Sequence, residues 1–351
     1  MKKLAFTGFI ISALIFSSVT AGSGDNYYSN SNRAVFTSPK SAALAGADQT
    51  FNQDAAPEGN PANLGLYPIN EVSFAFADFY SDVFNTFFLS YTGRLNDHSG
   101  FGVSLNYLYV PGIPIYDNLE LNSFDDPIYD PDKIDYSSSS EIMFRAGYGH
   151  SFQVKKNMLL GVGATLNALR RNLLGYTGYG IGVDAAATFE LTSVGLRAAL
   201  VAHNISTNYI YWNEDYYDLA LPQVRVGIGW EKEIPYIYGR LQVNYYTPDF
   251  LGNEGVNSLA RDDSVKVPDK IRLSNPDEIP SFIFHGNLGV EYLIRNRVAI
   301  RFGSEAINIL ETSRFTFGGG VYIIEERLAL DFAYLFHELA GTYQVGGRFR
   351  W

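Results

Sequence analysis

Side chains able to run chemistry come first, because an enzyme or a metal site would show there. The five histidines are His98, His150, His203, His285 and His337, and they stand far apart. No two share the i, i+4 spacing that puts a pair of imidazoles on one helix face, and there is no His-Glu-x-x-His. The chain has no cysteine, which removes thiolate ligands and disulfides together. No Gly-x-Ser-x-Gly elbow presents a serine nucleophile. Gly161-Val-Gly163 and Gly178-Tyr-Gly-Ile-Gly182 carry part of the glycine spacing of a phosphate loop. Such a loop must join a strand to a helix N-terminus, and neither does. These residues point to a protein that is not an enzyme and holds no metal or cofactor.

The charged residues are more informative. Residues 111–138 carry Asp117, Glu120, Asp125, Asp126, Asp130, Asp132 and Asp135 against Lys133. Oxygen ligands for calcium abound there, but the Asp-x-Asp-x-Asp-Gly order of a calcium loop is missing, so a solvated acidic loop is expected. The formal net charge of −11 argues against a nucleic-acid partner, whose phosphates would be repelled.

A second charged set falls on one face of alternating segments: Arg145, Asp184, Arg197, Arg225, Arg240, Glu291, Arg301, Asp331 and Arg348. The elements that carry them are strands of period two. Phe101 to Tyr109 places Phe, Val, Leu, Tyr and Tyr on one face and mostly Gly, Ser and Asn on the other. Tyr179 to Leu191 repeats the pattern, with Asp184 and Glu190 on the small and polar face. Fourteen such segments can be placed, near 71–80, 83–93, 100–110, 139–152, 158–169, 176–191, 194–204, 221–232, 237–247, 281–294, 297–306, 314–324, 328–337 and 341–351. Even-numbered connections are short, as at 154–157, 191–194, 295–297 and 325–327, whereas the long stretches 111–138, 205–220 and 248–280 are odd-numbered. Periplasmic turns and extracellular loops alternate in this phase in a bacterial outer-membrane barrel, and a soluble sandwich has no reason to.

Composition agrees. Charged residues are 18% and aromatic residues 15%, with 25 Tyr, 25 Phe and 33 Gly, which suits a sheet whose outer face meets lipid. The N-terminus has Lys2 and Lys3, an apolar core over about 4–16 and Val19-Thr-Ala21, which reads as a signal peptide cut after Ala21. No run of some 18 apolar residues follows it. The last strand puts Tyr343, Val345, Phe349 and Trp351 on one face, with a terminal aromatic suited to the interface girdle. The expected class is therefore all-β: a transmembrane antiparallel barrel of about 14 strands in the outer membrane of a Gram-negative-type bacterium, with lipid as its surroundings. Residues 1–21 would be the signal, 22–70 an N-terminal plug and 71–351 the barrel.

The plug expectation rests on a run that fits no regular element. Phe51 to Tyr67, FNQDAAPEGNPANLGLY, is too broken by Pro and Gly for a long helix and too rich in Ala for a strand. Alternate glycines on a lumen face, as at Gly161 and Gly163, would leave room for such a segment. The order Ser41-Ala-Ala-Leu-Ala-Gly-Ala47, Asp54-Ala-Ala-Pro57 and Asn60-Pro-Ala-Asn-Leu64 resembles the plug of the PorV/PorQ family within the FadL-like barrels. Leu200-Val-Ala-His-Asn-Ile205, Leu221-Pro-Gln-Val-Arg-Val-Gly227, Gly289-Val-Glu-Tyr292 and Leu330-Asp-Phe-Ala-Tyr334 are similar to later motifs of that family. The resemblance implies a plug built on Asp54, Glu58, Asn60, Pro61 and Leu64. It also implies a non-enzymatic accessory or shuttle role in type IX secretion, with secreted proteins or secretion-system components as partners.

The loops would then be the contact surface, through Ile115, Tyr211, Trp212, Tyr216 and Tyr217. The alternative is a FadL-like diffusion channel for hydrophobic small molecules. It needs an apolar pocket at the mouth, for which Ile113, Ile115, Leu119, Tyr211, Trp212, Phe51 and Leu64 are candidates. The lumen read by parity is mostly small, polar or Arg, which favours the protein-binding role.

Overall fold

The computed structural model describes residues 35–48, 50, 57–116, 130–206, 208–213, 217–220, 222–247, 286–305, 314–324, 327–336 and 340–351. The expected signal peptide, Phe51, Asp54, Leu119 and Tyr216 lie outside them, as do residues 117–129 of the acidic loop. The chain forms β1 (Glu71–Phe79), β2 (Phe84–Asn96), β3 (Ser99–Ile115), β4 (Asp135–Lys155), β5 (Met158–Leu173), β6 (Tyr176–Leu191), β7 (Leu196–His203) and β8 (Asn208–Trp212). It continues through β9 (Tyr217–Ala220), β10 (Gln223–Ile234), β11 (Gly239–Tyr246), β12 (Asn287–Ile294), β13 (Val298–Glu305), β14 (Arg314–Ile324), β15 (Leu328–Leu335) and β16 (Thr342–Arg350).

All pairings are antiparallel, and the ring closes where β1 pairs with β16 and β5 with β6. Fourteen strands make the wall; β8 and β9 form a hairpin that prolongs it above β7 and β10. The faces are the inverse of a soluble sheet. On β1, Glu71, Ser73, Ala75 and Ala77 are buried inside, while Phe74 and Phe76 point outward and exposed. Phe144, Leu166, Leu200, Ile228, Ile300 and Phe332 continue that outer apolar band, which lipid can cover. At the rim of short turns Trp351 stacks on Phe349 at 5.9 Å and on Tyr91 at 6.0 Å, an aromatic edge at the height of the interface.

Two differences from the sequence reading stand out. Strands β3 to β5 run longer than expected, up to 21 residues in β4, and with β6 they rise beyond the span a membrane needs. The stretch 205–220, expected as a loop, contains β8 and β9. It was hidden because the strand containing it is broken: Ala202 pairs with Ala185, but Tyr209 pairs with Ile181. Residues 203–208 therefore face only 182–184, and the surplus bulges. Asp184 holds the bulge, accepting from Asn204 N at 2.8 Å and contacting His203 Nδ1 at 3.2 Å. Asn204 takes φ +52, a left-handed conformation that Asn tolerates better than most residues.

The N-terminal segment lies inside this wall. Ser38 caps α1 (Pro39–Ala43) by accepting from Ser41 N at 3.1 Å, and Pro39 supplies a preset φ at the first turn. Asn60 Oδ1 accepts from Ala62 N at 3.0 Å just ahead of α2 (Asn63–Leu66). Both helices are too short to stand alone in water and depend on their seats. Those seats are glycines. A Cβ on Gly289 would come within 2.9 Å of Leu44 O, and one on Gly303 within 2.5 Å of Ala45 N. On the other wall, a Cβ on Gly149 would reach 2.6 Å from both Gly65 N and Pro61 O.

Candidate functional site

Towards the rim of short turns the lumen holds paired charges. Arg301 Nε meets Glu291 at 2.6 Å and its Nη1 meets Asp331 at 2.6 Å, while Arg348 Nε reaches Asp331 at 3.0 Å. Gly320 lies between, and any side chain there would strike Asp331 and the Arg301 guanidinium. Arg197 contacts Glu190 at 3.2 Å and Glu231 at 3.3 Å, and Arg240 contacts Glu231 at 3.7 Å. Tyr67, at the end of the N-terminal segment, donates to Glu190 at 2.6 Å and accepts from Arg197 Nε at 3.0 Å. Burial raises the Tyr67 phenol pKa, with Arg197 opposing, so the hydroxyl stays a donor. Arg225 sits over the Tyr246 ring at 5.8 Å. The charges read from parity thus face inward, and most are neutralised across strands.

The N-terminal segment lies above this layer, towards the long connections. Asn60 Nδ2 donates to Thr188 Oγ1 at 2.8 Å, Thr165 donates to Pro57 O at 3.0 Å, and Thr50 donates to Asn244 Oδ1 at 2.6 Å. Leu64 is buried against the glycine faces of β3 and β4, where a Cβ on Gly102 would meet it at 3.1 Å. Pro61 O packs on Gly149 and Gly163. Glu58 is half-buried overall with its Oε2 enclosed. Desolvation pushes its carboxyl up to about 7, against the pull of Arg145.

Higher still, on the wall made by β4, β5, β6 and β8, an apolar cluster faces the lumen. Met143, Leu169 and Ile210 are buried together, and Trp212 packs against them. The register brings them there: Met143 opposes Leu169, Leu169 opposes Gly180, and Gly180 opposes Ile210. Gly178 opens the gap, because a Cβ on it would lie 2.9 Å from Ile210 Cγ2 and 3.0 Å from Trp212 Cδ2. Trp212 Nε1 donates to Asp218 Oδ2 at 2.9 Å, which fixes the ring. Arg171 Nε bonds Glu141 Oε2 at 2.7 Å one step above.

The loop candidates divide accordingly. Trp212 turns inward, but Tyr211 is 61% exposed and stacks with Tyr209 at 6.3 Å on the outer face, so it lines no lumen pocket. Tyr217 pairs with Tyr211 in the hairpin backbone. Ile115 is half-buried at the raised end of β3, beyond a one-residue bulge. The glycines of 178–182 also differ from expectation: Gly178 makes room for β8, whereas Gly161 and Gly163 receive the N-terminal segment. Met143, Leu169 and Ile210 escaped the sequence reading. Met143 and Leu169 sit in the inward register of strands already assigned, and Ile210 lay in a stretch read as loop. Among the described residues, no group of three or more acidic or histidine side chains could hold a metal ion.

Comparison with solved structures bears on the fold. A deletion variant of the monoaromatic hydrocarbon channel TodX superposes with a TM-score of 0.51 at 14% identity, over 89% of this chain and 97% of that one. The monoaromatic hydrocarbon channel CymD gives 0.50 at 12% identity, over 90% and 97%. This is an outer-membrane β-barrel. A FadL homologue of Pseudomonas aeruginosa is a more distant likeness, at 0.45 and 12% identity over 89% and 98%. No protein-family model and no curated protein matches the chain. The narrower PorV/PorQ resemblance therefore stands on its motifs alone.

Proposed function

We propose that the protein is a passive channel for small hydrophobic molecules, with residues 22–70 acting as its plug. The observation that carries this is the buried cluster of Met143, Leu169 and Ile210, with Trp212 against it, on the long-connection side of α2. By the loop-length rule that side is extracellular. An apolar pocket at the mouth with a few polar groups beneath is the usual form of a small-molecule site. The same fold serves channels described as carrying monoaromatic hydrocarbons, so the reading asks nothing new of the scaffold. The type IX accessory role implied by the family resemblance depends on the loops, and no observation on the described residues favours it over the channel.

The test is uptake of toluene into proteoliposomes. Flux well above protein-free vesicles, reduced by Trp212→Ala, supports the channel. Toluene flux equal to that of empty vesicles, from a barrel that migrates as folded, sinks it.

A further inference from the structure

The apolar cluster does not complete the site. Two residues further along β4 and β5, towards the N-terminal segment, Arg145 and Asn167 oppose each other, and Ser104 of β3 opposes Arg145. Asn167 is 0% exposed, yet neither its Oδ1 nor its Nδ2 has a hydrogen-bond partner. Asn106 Oδ1, which stands opposite Met143, is buried in the same condition. Ser104 instead meets Glu58 from the segment below. Buried polar atoms are nearly always answered, so a layer of unanswered ones facing a lumen is a binding surface in search of its ligand. The paired charges near the other rim lack this feature of whole side chains left over.

We propose that this layer binds the head group of the permeating solute, whose apolar body lies against Met143, Leu169, Ile210 and Trp212. The solute is then a small amphiphile with one neutral hydrogen-bonding head, a hydroxyl or an amide, on a body of about one ring. Length comes from the strand rise: two residues separate the layers by about 7 Å, the span of a substituted benzene. Neutrality comes from the surroundings. Arg145 already faces the Glu58 carboxyl, which Asp48 also approaches, so an anionic head meets acidic groups beside the one cation. A charged head would also need full pairing in a buried layer, whereas an amide lined by Asn167 offers a donor and an acceptor.

This assignment rests on the channel reading, and the experiment separates the two. The full-length barrel in lipid nanodiscs is titrated calorimetrically with phenol, toluene and benzoate, each corrected for partition into empty nanodiscs. Phenol and toluene differ by a hydroxyl for a methyl. Phenol is expected to bind about tenfold more tightly than toluene, the scale of one buried hydrogen bond. Asn167→Leu should reverse that order, and Asn106→Leu should narrow it, each checked for folded migration first. Toluene binding as well as phenol to the natural protein overturns the head-group layer but leaves the channel standing. Benzoate binding more tightly than phenol overturns the neutral head. A phenol preference that survives Asn167→Leu shows structural water, not solute, at these atoms. Failure of all three probes to bind overturns the channel reading and this inference with it.

Discussion

On the wall of β12 to β16, α1 and the turn after it lie on Gly289, Gly303 and Gly318; on the wall of β3 to β5, α2 and the turn before it lie on Gly100, Gly149, Gly161 and Gly163. Both seats are made the same way, by deleting side chains on the lumen face so that a backbone can approach. What surrounds each seat differs. Next to α1, Arg301 is clamped between two carboxylates, and Ala42 and Ala43 pack with Ala333 and Leu335. Above α2 lie unanswered amide groups, and then an apolar cluster. The first wall pairs its charged side chains with one another, as an anchor does. The second leaves amide groups directed at the lumen, as a site does.

The comparison can be broken first at the anchor. Arg301→Met should destabilise the barrel by about 3–5 kcal/mol, because buried Glu291 would lose this cation and buried Asp331 one of its two arginines. Denaturant midpoints in detergent measure this, and an unchanged midpoint would show that the ion pairs hold nothing. Gly149→Val strikes the other seat. It should cost about 1–3 kcal/mol locally, since the seat must give way to a new side chain. Liposome swelling with small sugars should rise as α2 loosens, and unaltered swelling would mean that the segment does not occlude the pore.

Trp212→Ala removes the aromatic wall of the second site and should weaken toluene binding by about tenfold, in line with about 1.5 kcal/mol of lost apolar contact. The smallest effect is on pH. Glu58 has its pKa raised to about 7, above an ordinary value of 4.5, so its docked form prefers the proton. Docking of 57–66 is then favoured below the ordinary value and loses that contribution as pH rises through about 7. Amide exchange in this stretch, corrected for the intrinsic pH dependence, should speed up between pH 5 and pH 8. Glu58→Gln should flatten the change, while the α1 region should show none of it.

Much of the barrel was legible in sequence because lipid and lumen impose opposite demands on alternate residues. Parity therefore fixed the strands and the inward charges, down to β6 at 176–191 and β14 at 314–324. The same parity would have shown Asn167 and Met143 facing inward. It could not show that their neighbours leave them unanswered, since that depends on which strands touch and what the N-terminal segment brings. Ile210 was illegible for a different reason: the bulge at 203–208 breaks the pattern and makes β8 look like loop.

By itself the sequence determined an outer-membrane barrel with an N-terminal segment rich in small residues, because period two and alternating turn lengths are local properties. Only the tertiary structure decided which glycines seat that segment and which admit Trp212, and that one wall clamps Arg301 between carboxylates while the other leaves the Asn167 amide unanswered. Those are facts of cross-strand register, and register is set by pairing between residues far apart in the chain.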